Sequence, residues 1–426
     1  MKLFTSLFLG SAAGLAAVAG AQAADLPMAE PVEYVKVCDT YGTGFFYIPG
    51  SETCLRVSGL VRAEYLWYEE PKRKKDGNYN VNDLAFRARG RVNFDARTAT
   101  EYGLLRSYIR YQIDTRTLPS GTGGALLDKA YIQFAGATVG LNDSMFDFKP
   151  YPSYSGMLVS DITTLMAAYT AQFGNGFSAT IAVEDKTYRD SGKTLDGFTQ
   201  VPFGATTKPM PFNQGGQVVP DLVGNLRVEQ GWGEAKLSAA GHRVQSGNRE
   251  EWGWAVQGGV LVNLPMLGEN DYVYASGAFG SGALSYIISG QDNGFGGTFA
   301  PLSGLPESDY IRNPGSNKIK LTDAWNVNGG FVHRFNPNWR VTFAGSYADV
   351  DYQGKVLGFN PDWTAGQFAG QLIWTPVRNL DIGVEVDYTQ IFDGAQKFQR
   401  GGGYDNSRPN GQKETWGARM RVERQF

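Results

Sequence analysis

Five arginines crowd into two neighbouring segments of the chain: Arg87, Arg89 and Arg91 at every second position, then Arg106 and Arg110. A period of two sends alternate side chains to opposite faces of a strand. Arg87, Arg89 and Arg91 therefore share one face, and Leu84, Phe86, Ala88, Val92 and Phe94 form the other. In Gly103 to Asp114 the same rule sets Arg106, Tyr108, Arg110, Gln112 and Asp114 against Leu105, Ile109, Tyr111 and Ile113. Such a wall offers electrostatics rather than bond-making, and its charges repel one another unless carboxylates or water answer them. On a soluble protein this pattern is a solvated face; in a closed sheet it lines a lumen.

The remaining reactive residue types are sparse. Cys38 and Cys54 are the two cysteines, an even count that in an oxidising compartment favours a disulfide. His242 and His333 stand far apart, which argues against a histidine-based metal site and leaves a nucleophile without an evident base. Gly294-Phe295-Gly296-Gly297 and Gly401-Gly402-Gly403 lack the strand-to-helix setting of a phosphate cradle and read as loop. No cofactor is implied.

The elements that must position the arginines are strands. Leu55 to Tyr68 alternates Leu55, Val57, Gly59, Val61, Ala63, Tyr65 and Trp67 with Arg56, Ser58, Arg62 and Glu64. At the other end, Trp416, Ala418, Met420, Val422, Arg424 and Phe426 alternate with Thr415, Gly417, Arg419, Arg421, Glu423 and Gln425. The length suits the roughly 9 to 11 residues that cross a bilayer as a tilted strand. Tight turns at Gly174-Asn175-Gly176, Gly231-Trp232-Gly233, Asn336-Pro337-Asn338 and 375–379 join such strands into hairpins. Long polar stretches, notably 188–219, 281–321 and 392–412, separate them. The resulting expectation is an all-β, transmembrane antiparallel barrel of about sixteen strands over 55–426, with short turns at one end and long loops at the other. A barrel of that size leaves an aqueous channel.

Composition agrees. The 426 residues include 55 Gly, 22 Tyr, 25 Phe and 9 Trp, rich in turn-formers and strand-favouring aromatics. A formal net charge of -3 gives no global basic field for nucleic acid. Lys2, the apolar stretch Leu3 to Ala19 and Ala21-Gln22-Ala23 read as a signal peptide over 1–23, cleaved before Ala24-Asp25. No later run reaches the length of a transmembrane helix. Residues 24–54, with Pro27, Pro31 and Pro49, read as a periplasmic extension stapled by Cys38 and Cys54.

Several motifs carry a resemblance. Ala-Gln-Ala-Ala-Asp around Ala24, the run from Val37-Cys38-Asp39 through Gly44-Phe45-Phe46-Tyr47-Ile48-Pro49-Gly50 to Thr53-Cys54-Leu55-Arg56-Val57, Gly174-Asn175-Gly176-Phe177-Ser178 and the closing Arg424-Gln425-Phe426 are similar to those of alphaproteobacterial general porins. The resemblance implies a homotrimer in the outer membrane, among lipid and lipopolysaccharide, with the third external loop folded inward. That loop would be about 142–163, whose Asp143, Asp147 and Asp161 would oppose the arginines at the pore constriction. It further implies that Phe426 is the barrel-closing signal read by the assembly machinery, and that Ala24 is a point of attachment to peptidoglycan. Arg424 departs from the family pattern, in which the third residue from the end is apolar, and is read as snorkelling. The function implied is passive diffusion of small hydrophilic solutes and ions. The rival readings are an adhesive or structural barrel, which long loops permit, and a barrel hydrolase. A plugged transporter needs about 22 strands and a plug, for which the chain has no room.

Overall fold

The computed structural model describes residues 36–69, 84–116, 125–150, 152–189, 200–203, 206–209, 218–246, 249–288, 307–312, 318–354, 361–394 and 413–426. The signal-peptide reading of 1–23, Ala24, and most of the loop at 69–82 fall outside these residues, as do both glycine-rich pieces.

Among the described residues, sixteen antiparallel strands close on themselves. In chain order they are β1 (Cys54–Tyr68), β2 (Leu84–Thr100), β3 (Gly103–Arg116), β4 (Ala125–Phe134), β5 (Ala137–Asp143) and β6 (Thr163–Gly174). Then follow β7 (Phe177–Glu184), β8 (Asp221–Gln230), β9 (Gly233–Ser246), β10 (Arg249–Asn263) and β11 (Tyr272–Ser281). The barrel ends with β12 (Asp323–Asn336), β13 (Trp339–Asp351), β14 (Trp363–Val377), β15 (Leu380–Gly394) and β16 (Glu414–Gln425). Each strand pairs with the next, and β16 returns to β1 in a register that sets Leu60 against Gln425 and Tyr68 against Gly417.

Alternation decides which side chain goes where. Val61, Phe86, Ile109 and Ile113 point outward and are about half exposed, while Glu64, Asp95, Gln112 and Asp114 on the same strands are buried within the barrel. The expected outward and inward sets of β1, β2, β3 and β16 hold throughout. Two-residue turns join strands at one end, apart from 264–271 between β10 and β11; at Asn175-Gly176 both φ angles are positive (50° and 80°) in the manner of the hairpin turns that match strand twist. Connections at the other end are longer, apart from 247–248 between β9 and β10.

Two boundaries differ from the sequence reading. Cys54 belongs to β1 rather than to a separate extension, because Phe46–Tyr47 pairs back onto Leu55 and Cys54 while the Cys38–Cys54 disulfide closes the small loop. Phe45, buried, lies beneath the inward guanidinium groups of Arg56 and Arg97, at 5.0 and 4.8 Å. The segment is thus folded against the inner wall at the short-turn end. At the third loop, Asn142 and Asp143 complete β5 by pairing with Thr164 and Thr163, so the loop proper is 144–162.

The seam between first and last strands depends on a residue with no side chain. Phe426 exchanges backbone hydrogen bonds with Gly59, at 2.9 and 3.1 Å, and its ring lies over the same glycine. A Cβ there would run into the Arg91 carbonyl oxygen and come within 2.7 Å of the Phe426 ring. Gly59→Ala is expected to destabilise the barrel by about 1 to 3 kcal/mol, the usual cost of overpacking. This would be read as a lower temperature for loss of the compact band on unboiled gels; an unchanged transition would show that the seam has slack.

Candidate functional site: the lumenal wall and its inserted loop

All five arginines stand on the inner face, and each is answered from the strands themselves. Arg89 makes a two-pronged pair with Asp114, at 2.7 and 2.8 Å. Arg91 donates to Gln112, and Arg110 to Asn93 and to the Tyr108 hydroxyl; both approach Asp128, at 3.9 and 3.4 Å. Arg106 shares Asp95 with Arg97, all four hydrogen bonds falling between 2.9 and 3.1 Å. Arg87 pairs with Glu64, which also accepts from Arg421 of β16 at 2.6 Å. Tyr108 and Tyr131 stack at 5.2 Å, with Arg106 over both rings. The wall extends beyond the five: Arg56, Arg62, Arg97, Arg419 and Arg421 share its face.

The loop 144–162 crosses the interior and is held by inward side chains of strands from β7 beside it to β15 and β16. Glu184 of β7 accepts from the Met145 N–H and the Ser144 hydroxyl, both at 2.8 Å. Gln257 of β10 accepts from the Phe148 N–H at 2.9 Å, and Ser346 of β13 from the Leu158 N–H at 3.0 Å. Glu385 of β15 takes the Tyr154 and Ser155 N–H groups at 2.6 and 2.7 Å. Arg419 donates to the Tyr154 carbonyl at 2.6 Å, and the Arg421 guanidinium lies 3.7 Å above the Tyr154 ring. Backbone groups of an irregular segment must find partners when buried, and here the barrel wall supplies them. Burial pushes the Tyr154 hydroxyl up to about 12, so it stays protonated.

The three loop-region aspartates gather around cations other than the five arginines. Asp143 pairs with Lys129 and Lys149, and Asp161 with Lys149. Asp147 is sealed from water: it accepts from Arg189 at 3.0 Å, from the Ser160 hydroxyl at 2.5 Å and from the Ile162 N–H at 2.8 Å. Burial by itself would raise its carboxyl, but the Arg189 and Lys149 charges and these hydrogen bonds outweigh it and hold the group below its ordinary value. Asp147 therefore fastens the loop, and the exposed carboxylates are Asp143 and Asp161.

A second occupant escaped the sequence reading, which left 281–321 as an external loop. Leu284, Tyr286, Ile287 and Ile311 pack against Ala240, Ala255, Ala278, Ala324 and Ala348 on the inner face, together with Phe146 and Leu158 of the first loop. Recurring alanines at lumenal positions of successive strands were the available signal, since a wall facing only water has no use for small apolar side chains. The same region holds His242. Its Nδ1 lies 2.9 Å from Asp221, which also accepts from the Tyr286 hydroxyl, and its Nε2 lies 3.5 Å from Asp309. His333, by contrast, faces outward between Phe331 and Phe335 and contacts Asp271.

The anchor at Asp147 has a pH signature. A carboxyl depressed in the folded state stabilises fully above its unfolded value, about 4, and that contribution is lost as pH falls through the folded value. Wild-type channel recordings should be quiet at neutral pH and gain flicker only in more acid solution. Asp147→Asn should flicker already at pH 7, and a quiet variant would show that the ion pair does not hold the loop.

A family model described as "Porin subfamily" matches residues 25–418. The porin Omp2b of Brucella suis biovar 1 (strain 1330) is 32% identical over 378 residues, which cover 82% of this chain and 94% of that one. Porin Omp2b of Brucella abortus (strain 2308) is 33% identical with the same coverage. Among solved structures, the outer membrane channel DcaP of Acinetobacter baumannii superposes with a TM-score of 0.64 over 89% of this chain and 99% of that one. At 16% identity, that likeness speaks to the fold. A match of this extent, on a closed sheet faced by oil and lined by charge, makes the chain a member of the porin subfamily and a channel of the outer membrane.

Proposed function

We propose that the channel passes small hydrophilic solutes and ions passively, down their gradients, and that its constriction lies between the arginine wall and the loop 144–162. The observation that carries this reading is the reach of the loop: it leaves the barrel at β5 and is fastened by Glu385 on β15. Arg89, Arg91, Arg106 and Arg110 remain partly open to the lumen. Arg87 lies deeper, paired with Glu64. Asp143 and Asp161 supply the opposite sign at the base of the loop, and Asp147 keeps that base in place. Fixed charges in a narrow passage act on solutes by charge and dipole.

No hydrolytic activity accompanies this role in our reading. His242 is buried between two carboxylates, and His333 lies on the lipid-facing side. Residues 1–23 act as a cleaved signal and the stapled segment up to Cys54 faces the periplasm. The channel assembles as a homotrimer among lipid and lipopolysaccharide, with Phe426, exposed at the seam, read by the assembly machinery. In this reading Ala24, which precedes the stapled segment in the chain, is joined to peptidoglycan. Sacculus digests containing only free Ala24 would count against that attachment.

Purified full-length protein in planar bilayers should give discrete, ohmic conductance steps, with no hydrolysis of ester or peptide substrates in parallel. Hydrolysis without conductance would reverse the assignment.

A further inference from the structure

The inner wall is not a neutral mosaic, because several cations share single carboxylates. Among the described residues, the ion pairs of Arg56, Arg97 and Arg106 all go to Asp95. Three guanidinium groups on one carboxylate leave two positive charges over. Arg91 and Arg110 likewise share Asp128, leaving one. Depth sharpens the imbalance at the first cluster. The Asp95 side chain is 2% exposed, whereas those of Arg56, Arg97 and Arg106 are 40%, 21% and 22% exposed. A passing ion meets guanidinium first, with the carboxylate behind it.

The cluster is also held still. The Phe45 ring lies under Arg56 and Arg97, and the Tyr108 and Tyr131 rings under Arg106, at 4.8 to 5.7 Å. Cations over ring faces are attracted to them, so the side chains do not need to reorganise when an anion arrives. Beside the loop base, Asp143 and Asp161 are matched by Lys129 and Lys149, and across the barrel Glu184, Glu385 and Asp387 are buried beneath the loop, taken up by its N–H and hydroxyl groups, so a solute in the lumen does not meet them.

We propose that the channel prefers anions, and that Arg56, Arg97 and Arg106 gathered on Asp95 form its strongest anion-attracting cluster. The class of solute is small molecules bearing carboxylate or phosphate oxygens, which guanidinium forks bind in two-pronged fashion. This deepens the channel reading and rests on it. The attraction is local and salt-dependent, because screening lengths fall from about 10 Å at 0.1 M to about 3 Å at 1 M salt.

The test is the reversal potential of the full-length protein across a potassium chloride gradient in planar bilayers. The expected result is chloride permeability above potassium at low salt, converging toward equality near 1 M. Arg56→Gln, at the most exposed member, should lower the chloride-to-potassium ratio by about twofold at 0.1 M salt, the screened effect of one unit charge about 8 Å away acting with opposite sign on the two ions. Asp95→Asn should raise it by a similar factor, a change of opposite sign that damaged folding would not mimic. Where the Asp95 variant does not form a barrel, the Arg56 variant alone decides. Succinate or inorganic phosphate in place of chloride should still carry current. Potassium preference in the wild type, or variants that leave the ratio unmoved, would overturn the proposal while leaving the channel intact. Absence of any conductance would remove the channel reading itself, and this proposal with it.

Discussion

Everything in this molecule follows from the rule that a chain in lipid must satisfy its backbone hydrogen bonds internally. A sheet achieves this only by having no edge, so the pairing of β1 with β16 is the condition for all the rest. The seam is made by Phe426 and Gly59, whose backbones exchange hydrogen bonds where no side chain intervenes. Once the sheet is closed, alternation has only one meaning: outward positions meet acyl chains and inward positions meet water. Arginines and carboxylates that would be ruinous on one face become affordable on the other.

Putting charge on the inner face raises a second problem, mutual repulsion among cations only one strand apart. The solution is visible in pairs drawn from adjacent strands: Asp114 for Arg89, Asp95 for Arg97 and Arg106, Glu64 for Arg87 and Arg421. At Asp95 the carboxylate sits close to the wall and Arg56, Arg97 and Arg106 extend over it. This arrangement answers each cation while setting guanidinium groups nearest the lumen at that cluster.

Part of the interior is occupied by chain. Loop 144–162 is fastened through its backbone N–H groups to Glu184, Gln257, Ser346 and Glu385. The segment around Tyr286 packs on alanines of the inner face and on the loop itself. His242 and Asp221 join that packing through the Tyr286 hydroxyl, with Asp309 on the other side of the imidazole.

By itself the sequence determined the barrel, its count of about sixteen strands, the inward orientation of Arg87, Arg89, Arg91, Arg106 and Arg110, and the pairing of Cys38 with Cys54. These rest on local rules: a period of two, turn residues between runs, and an even cysteine count. Tertiary structure alone decided which partner each charge takes, that Asp147 lies behind the lumenal surface, and that the stretch around Tyr286 folds inward. Those outcomes depend on strands distant in sequence becoming neighbours, as Glu64 and Arg421 do across the seam, and no local pattern encodes a distance between residues that only closure brings together.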